Sequence, residues 1–126
     1  MDFKVFEKSQ PYGNAVLEKS FNFSVRIIKL YKHIKRKDKD IEPLLKQFLR
    51  SGTSVGANIT EAQGAITKKD FINKLHIALK EARETEYWLE LLKAVDSISL
   101  DEFESINSDS KEILKLLTSI LKKLKM

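Results

Sequence analysis

The chain has 126 residues, 33 % charged and 42 % hydrophobic, with four Gly, two Pro and no Cys. At roughly 100–200 residues per domain, this length predicts a single domain over residues 1–126, and the lack of cysteine excludes disulfide scaffolds, thiol nucleophiles and cysteine-based metal sites. The formal net charge of +5 favours an anionic partner without identifying one.

The N-terminal segment, residues 1–13, is predicted to be an arm that ends in a turn at Pro11-Tyr12-Gly13. Charges interrupt its apolar residues at every second or third position, so it lacks the apolar centre of a signal peptide. No run approaches the roughly 18 consecutive apolar residues of a membrane span. We therefore expect a cytoplasmic protein without a membrane partner.

The first predicted helix runs from about Ala15 to Lys37, with Asn14 as its N-cap. Its apolar residues recur every three or four positions, which is the period of a helix. The stripe consists of Leu17, Phe21, Val25, Ile28 and Tyr31, widened by Ile27 and Ile34.

The second helix is predicted to begin near Pro43, because proline has no N–H to leave unpaired in a first turn. Gly52 and Gly56 lie one turn apart inside it, each about 1 kcal/mol less favourable than Ala. Apolar spacing continues over residues 55–62, so we predict helix through both glycines, with a loop at residues 51–57 as the alternative. The two glycines then indicate the close approach of another backbone.

Two capping boxes, Thr67 with Asp70 and Ser99 with Glu102, mark the starts of the third and fourth helices. Both helices carry apolar and small residues at alternating intervals of three and four. The third has Phe71, Leu75, Ala78, Ala82, Thr85, Leu89 and Leu92, and the fourth has Phe103, Ile106, Ser110, Ile113, Leu117, Ile120 and Leu124. Poor helix formers at residues 107–110 predict a kink or fraying.

Four amphipathic helices with short connections predict an all-α fold, an up-down-up-down four-helix bundle. A non-bundle orthogonal packing is the alternative, but heptad-like spacing favours crossing angles near 20°.

Patterns that suggest catalysis or metal binding lack the context they need. Residues 52–56 match the G-x-S-x-G nucleophile elbow, but the elbow requires a strand before it, which this chain does not provide. Neither histidine follows a glutamate by three residues, as di-metal bundles require. We therefore expect no catalytic residues, no metal and no other cofactor.

The positive charge lies in the first half of the chain. Residues 1–63 hold 12 Lys or Arg and 7 Asp or Glu, whereas residues 64–126 hold 11 of each. One side of the first helix carries Lys19, Asn22, Arg26, Lys29, His33 and Arg36. A stripe about 25 Å long could follow several phosphates of a nucleic acid, and a solvated outer face is the alternative. The basic C-terminal helix could lie on an anionic membrane, but a bundle needs its apolar side.

Two segments resemble a known family. They are residues 50–62 (Arg-Ser-Gly-Thr-Ser-Val-Gly-Ala-Asn-Ile-Thr-Glu-Ala) and residues 77–89 (Ile-Ala-Leu-Lys-Glu-Ala-Arg-Glu-Thr-Glu-Tyr-Trp-Leu). The sequence resembles the four-helix-bundle proteins of the 23S ribosomal RNA intervening-sequence family, and it is similar to the accessory variability determinant of diversity-generating retroelements.

The resemblance implies a homo-oligomer, a ring-shaped pentamer of bundles, without catalytic activity and with nucleic acid as a partner. The retroelement relatives also bind a reverse transcriptase. Ala62 and Gly52 depart from the residues common in the family, so packing of the second helix is expected to differ in detail. The motif positions expected to have structural or interface roles are Arg50, Ser54, Asn58, Glu61, Glu81 and Glu84.

We therefore predict a non-enzymatic, oligomeric bundle that binds RNA or DNA through phosphate contacts with little sequence preference. The residues predicted to bind nucleic acid are Lys19, Arg26, Lys29, His33 and Arg36. The alternative is a protein–protein interaction scaffold that docks a partner at Gly52 and Gly56, or at Phe3 and Phe6, and binds no nucleic acid.

Overall fold

The computed structural model describes residues 11–124, with side chains from residue 15 onward. This part of the chain is all-α. Its four long helices are α1 (Pro11–Lys37), α2 (Glu42–Ala62), α3 (Lys68–Ala94) and α4 (Leu100–Leu124), and a short 3-10 helix, Lys39–Ile41, follows α1. Each helix packs on the next, and α4 packs back on α1. With such short connections, this arrangement is that of an up-down-up-down four-helix bundle, as the sequence predicted.

Helix α1 begins at Pro11, four residues before the predicted start. The prediction of Asn14 as N-cap is therefore wrong, and so is the turn predicted at residues 11–13. Proline suits a first helical turn because its fixed φ is already helical and it has no N–H to satisfy. The rest of the predicted arm, residues 1–10, lies outside the described residues. The helix ends at Lys37, as predicted.

Helix α2 continues without interruption through Gly52 and Gly56, so the predicted helix is confirmed over the alternative loop. A Cβ atom on Gly52 would lie 2.8 Å from Cγ2 of Ile27. A Cβ on Gly56 would lie 3.0 Å from Oγ of Ser24 and 3.1 Å from the carbonyl oxygen of Ser20. The glycines therefore allow α1 to approach α2 closely, and because both are buried under α1 they cannot dock a partner protein.

The structure contains the complete capping box of Ser99 with Glu102, and one of the two bonds of a capping box between Thr67 and Asp70. The Asp70 amide donates to Oγ1 of Thr67 at 3.0 Å. At the start of α4, the Glu102 amide donates to Oγ of Ser99 at 3.1 Å, and the Ser99 amide donates to Oε1 of Glu102 at 2.8 Å. These reciprocal bonds satisfy amides that have no partner within the helix.

Helix α4 runs unbroken through residues 107–110, where the sequence predicted a kink or fraying. Tertiary contacts outweigh the weak helix propensity of this segment. Asp109 forms an ion pair with Arg26 of α1, and Ser110 is buried. An ion pair to α1 and burial in the core therefore both hold this segment in place.

The core is built from one buried seam on each helix. Every predicted seam residue of α3 and α4 is buried, which confirms those two predictions. In α1 the predicted apolar stripe is confirmed at Ile27 and Ile34, which are fully buried, and wrong at Phe21 and Ile28. The buried seam consists of Val16, Ser20, Phe23, Ile27, Leu30 and Ile34. Phe21 and Ile28 from the predicted stripe are instead exposed, to 68 % and 39 %. Helix α1 thus has two apolar sides, of which only one faces the core.

Candidate nucleic-acid interface

The predicted basic stripe of α1 lies beside α4. Nζ of Lys19 forms an ion pair with Glu112. Nε2 of His33 lies 3.2 Å from Oε2 of Glu102, at the other end of the stripe. A hydrogen bond from Lys19 to Glu112, together with the charge of that carboxylate, raises the pKa of Lys19. Each of these two members of the stripe therefore has a carboxylate partner on α4, although both remain exposed.

Arg26 occupies the middle of the same row. Its guanidinium forms an ion pair with Asp109 and donates to Oγ of Ser105 at 2.5 Å and to the carbonyl oxygen of Ser105 at 3.4 Å. Arg26 thus joins α1 to α4 through several bonds at once. Three of the five residues predicted to bind nucleic acid have a carboxylate partner within the bundle, which lowers the positive potential along most of the stripe.

Lys29 and Arg36 are the two basic residues of the stripe without a carboxylate partner among the described residues. Nε of Arg36 donates only to the carbonyl oxygen of Lys32, at 3.3 Å. Lys32, Lys35, Arg36 and Lys39 line one surface concavity where α1 meets the 3-10 helix. The stripe therefore remains basic at its C-terminal end, and residues that the sequence analysis missed extend it there.

We call this surface the basic end. It consists of Lys29, Lys32, Lys35, Arg36, Lys37 and Lys39. Three acidic residues lie in the same part of the sequence as these six cations. They are Asp38 and Asp40 of the connecting segment and Glu42 at the start of α2. The last turn of α1 contains three of the cations, which also complement the negative end of the helix dipole.

Glu42 is the carboxylate most closely associated with the basic end. Its Oε1 accepts a hydrogen bond from the Tyr31 hydroxyl at 2.8 Å and lies 3.6 Å from Nζ of Lys35. The bond to Glu42 raises the pKa of Tyr31. Lys35 also lies over the Tyr31 ring, 5.6 Å from its centroid. Glu42 therefore offsets part of the charge of Lys35, whereas the other five cations have no such contact among the described residues.

The family-motif residues form a separate polar cluster between α2 and α3. Arg50 donates to Oε2 of Glu81 at 3.3 Å and forms an ion pair with Glu84. The indole N–H of Trp88 donates to Oε2 of Glu84 at 3.0 Å. The hydrogen bond from Trp88, with that from Arg50, lowers the pKa of Glu84. These contacts link the two helices, as expected for residues that fix their relative register.

The other motif residues also make contacts within the bundle. Oγ of Ser54 donates to the carbonyl oxygen of Arg50 at 2.7 Å, and Nδ2 of Asn58 donates to that of Ser54 at 2.9 Å. Glu61 lies 3.5 Å from Nζ of Lys74 on α3. Ser54 therefore lies in the middle of a helix, with its hydroxyl bonded to a carbonyl of the same helix. Residues 52–56 do not form a nucleophile elbow.

The part of the chain that the structure describes contains no group of three or more His, Asp or Glu side chains placed to share a metal ion. None of the helices within residues 11–124 is long and apolar enough to cross a membrane.

The model of one protein family, 23S rRNA-intervening sequence protein, matches residues 13–119. The chain belongs to this family. Among solved structures, it is similar to a protein with unknown function from the S23 ribosomal protein family of Bacteroides thetaiotaomicron VPI-5482. The two sequences are 57 % identical, and the match covers 88 % of this chain and 98 % of the other, with a TM-score of 0.85. No curated protein matches.

Membership of the 23S rRNA-intervening sequence protein family confirms that part of the resemblance. The matched region begins inside α1 and ends inside α4, so it includes the basic end and the Arg50–Glu84 cluster. Both surfaces are therefore parts of the family domain.

Proposed function

We propose that this protein is a non-enzymatic bundle that binds RNA or DNA through phosphate contacts at the basic end. The proposal rests on one observation. The cations of α1 that lack a carboxylate partner among the described residues gather at one end of the bundle, while those nearer its middle are paired with α4. Membership of a family named for an intervening sequence of ribosomal RNA supports nucleic acid as the anion.

The chemistry of the basic end favours backbone contacts over base recognition. Exposed lysine and arginine side chains at the end of a helix can reach phosphate oxygens, and such contacts position a nucleic acid without reading its sequence. We expect weak sequence preference and an affinity that falls steeply as salt rises. Of the residues predicted from the sequence, Lys29 and Arg36 are proposed to contribute most, with Lys32 and Lys39 added by the structure.

We also propose that the protein acts as a homo-oligomer in the cytoplasm. In a ring of subunits, which the resemblance implies, the basic ends would be repeated around one axis and their potentials would add. Several weak contacts on one assembly bind a long nucleic acid more tightly than one contact alone.

A titration with structured RNA at two salt concentrations tests the proposal. The variant carries Lys29→Glu, Arg36→Glu and Lys39→Glu. A matched control carries Lys68→Glu, Lys69→Glu and Lys122→Glu, which make the same change in charge at the opposite end of the bundle. We expect the first variant to lose most of its affinity and much of its salt dependence, while the control changes less. Equal effects of the two variants, or no binding by the unaltered protein, would refute the proposal.

A further inference from the structure

The outer side of α3 carries exposed basic side chains and one exposed aromatic ring that the core does not use. They follow one another at intervals of four, three and four residues, so at 100° per residue they share one side of the helix, nearly opposite its buried seam. We call them the α3 row, and they are His76, Lys80, Arg83 and Tyr87. The row extends along about three turns of α3 and faces away from the bundle.

The two central cations of the α3 row have no carboxylate partner. Lys80 and Arg83 are exposed and form no ion pair within residues 15–124. The neighbouring carboxylates on the α2 side of the helix pair with Arg50. On the α4 side, Glu86 lies 3.6 Å from Nζ of Lys111. Both cations are therefore available to an external anion.

Tyr87 ends the α3 row with an exposed ring that is held in place from one side. The residue is 58 % exposed, and its ring meets that of Trp88 with the centroids 5.1 Å apart and the planes at 67°. Trp88 is fixed in turn by the hydrogen bond from its indole N–H to Glu84. An aromatic ring that is both oriented and open to solvent is a surface on which a nucleobase can stack.

We infer that the α3 row binds a single-stranded segment of nucleic acid, with an unpaired base stacked on Tyr87 and neighbouring phosphates bound by Arg83 and Lys80. At 1.5 Å per residue, Arg83 lies about 6 Å from Tyr87 along the helix axis, and Lys80 lies about 10 Å from it. Both cations can therefore reach phosphates of the strand to which the stacked base belongs. His76 continues the row by one further turn.

Other occupants suit the α3 row less well. In a duplex the bases are stacked inside the double helix and offer no free face to a protruding ring, whereas unpaired bases do. A protein partner would require a contiguous apolar patch, but the exposed residues beside Tyr87 on this side, Arg83 and Glu90, are charged.

The α3 row and the basic end are separate surfaces. Each helix packs on the next and α4 packs on α1, so α3 lies diagonally across the bundle from α1. Because it names unpaired strands as the class of nucleic acid, the α3 row deepens the proposed function, and it rests on that proposal for nucleic acid as the partner. RNA and DNA share the chemistry that the row recognises, which is an unpaired base joined to phosphates.

Titration of labelled oligouridine and oligothymidine, each of about ten nucleotides, into the full chain tests the site by fluorescence anisotropy. Tyr87→Ala should weaken binding roughly 5- to 100-fold, which is the loss expected for one base–aromatic stack. Tyr87→Phe keeps the ring and should bind like the unaltered protein. Ile77→Ala is the matched control, because it shortens an exposed side chain of the same helix outside the row, and it should not change the affinity. These effects with either oligomer support the site, and the tighter one identifies the preferred sugar.

Two further measurements separate the base from the phosphates. An abasic oligomer with the same number of phosphates should bind the unaltered protein as weakly as oligouridine binds Tyr87→Ala. The double variant Lys80→Gln, Arg83→Gln should reduce the slope of log affinity against log salt by about 1.4, because each phosphate contact to a single strand contributes about 0.7. Trp88 is the one tryptophan of the chain, so unlabelled oligomer should also quench its emission in the unaltered protein and in Tyr87→Phe.

Several results would overturn the inference. They are no binding of either oligomer, equal affinity of Tyr87→Ala and the unaltered protein, full affinity for the abasic oligomer, or a changed mass of Tyr87→Ala in light scattering, which would place Tyr87 in a contact between chains. Loss of structured RNA in the basic-end variant, with oligomer binding intact, would support two separate surfaces. Unchanged binding of structured RNA by that variant, with Tyr87-dependent oligomer binding intact, would count against the proposed function only.

Discussion

Gly52 offers the sharpest test of the packing between α1 and α2. Alanine is favoured over glycine inside a helix by about 1 kcal/mol, so Gly52→Ala should stabilise the protein if there is room for a methyl group. The structure shows no room. The new Cβ would lie 2.8, 2.9 and 3.0 Å from three side-chain atoms of Ile27, which is fully buried. Overpacking of this kind typically costs about 1–3 kcal/mol.

The expected net effect of Gly52→Ala is therefore a loss of about 1 kcal/mol in the free energy of unfolding, measured by urea denaturation at fixed chain concentration. The effect of Gly52→Ala on the free energy of unfolding should change sign when Ile27 is shortened. In an Ile27→Ala background, Gly52→Ala should stabilise by about 1 kcal/mol, because the clashing atoms are gone. Gly64→Ala is the control, since its Cβ would lie at an ordinary 3.6 Å from the Glu61 carbonyl oxygen. A stabilising Gly52→Ala in the unaltered chain would refute the reasoning.

Two further predictions concern the polar contacts between helices. A double-mutant cycle of Arg26→Gln and Asp109→Asn should give a coupling of about 0.5–1 kcal/mol that shrinks in high salt, and zero coupling would show that the pair contributes nothing to α1–α4 packing. Glu84→Gln should lower the free energy of unfolding at neutral pH. The folded state lowers the pKa of Glu84 below its ordinary value of 4.5. This carboxylate therefore stabilises the protein above that pH, and its contribution is lost as pH falls through the folded pKa. The difference in free energy of unfolding between Glu84→Gln and the unaltered protein should therefore become smaller in acid. A difference that does not change with pH would contradict the stabilising role of the Glu84 carboxylate. Glu90→Gln, at an exposed glutamate, is the control.

The buried seams of α3 and α4 could be predicted from the sequence, because each predicted seam there is the buried one, although the kink or fraying predicted at residues 107–110 of α4 is absent. Their capping boxes are local in sequence, and a contact between residues three apart needs no knowledge of the rest of the fold. The same holds for the helix through Gly52, where the continuing apolar spacing outweighed the two glycines. In each case the structure is determined by an interaction between residues that are close together in the sequence, or is indicated by a local sequence pattern.

Helix α1 was harder to predict for a physical reason. Phe21 and Ile28 are as apolar as Phe23 and Ile27, and both pairs fit helical spacing, so periodicity alone cannot say which side faces the core. The close contact of Ile27 with Gly52 decides the matter, and it joins residues 25 apart in the sequence. The two glycines correctly predict the close approach of another backbone, but they do not indicate which side chains of α1 pack against them.

The ion pairs of the basic stripe also depend on contacts between residues that are far apart in the sequence. Glu102, Asp109 and Glu112 lie on one side of α4, spaced seven and three residues apart. An antiparallel α4 beside α1 brings these carboxylates to His33, Arg26 and Lys19 in turn. The signal was present in the sequence, but it has meaning only once α1 and α4 are known to be neighbours.

The surroundings of α1 on its three sides together explain why its cations without a carboxylate partner gather towards its C-terminal end. The inner seam is filled by the core, and the α4 side is paired with carboxylates as far as Glu102. Glu102 lies in the first turn of α4, so the row of carboxylates stops where α4 begins, while α1 and its cations continue to Lys37. The remaining side carries the exposed apolar residues Phe21 and Ile28, so at these positions it offers no cations to a phosphate.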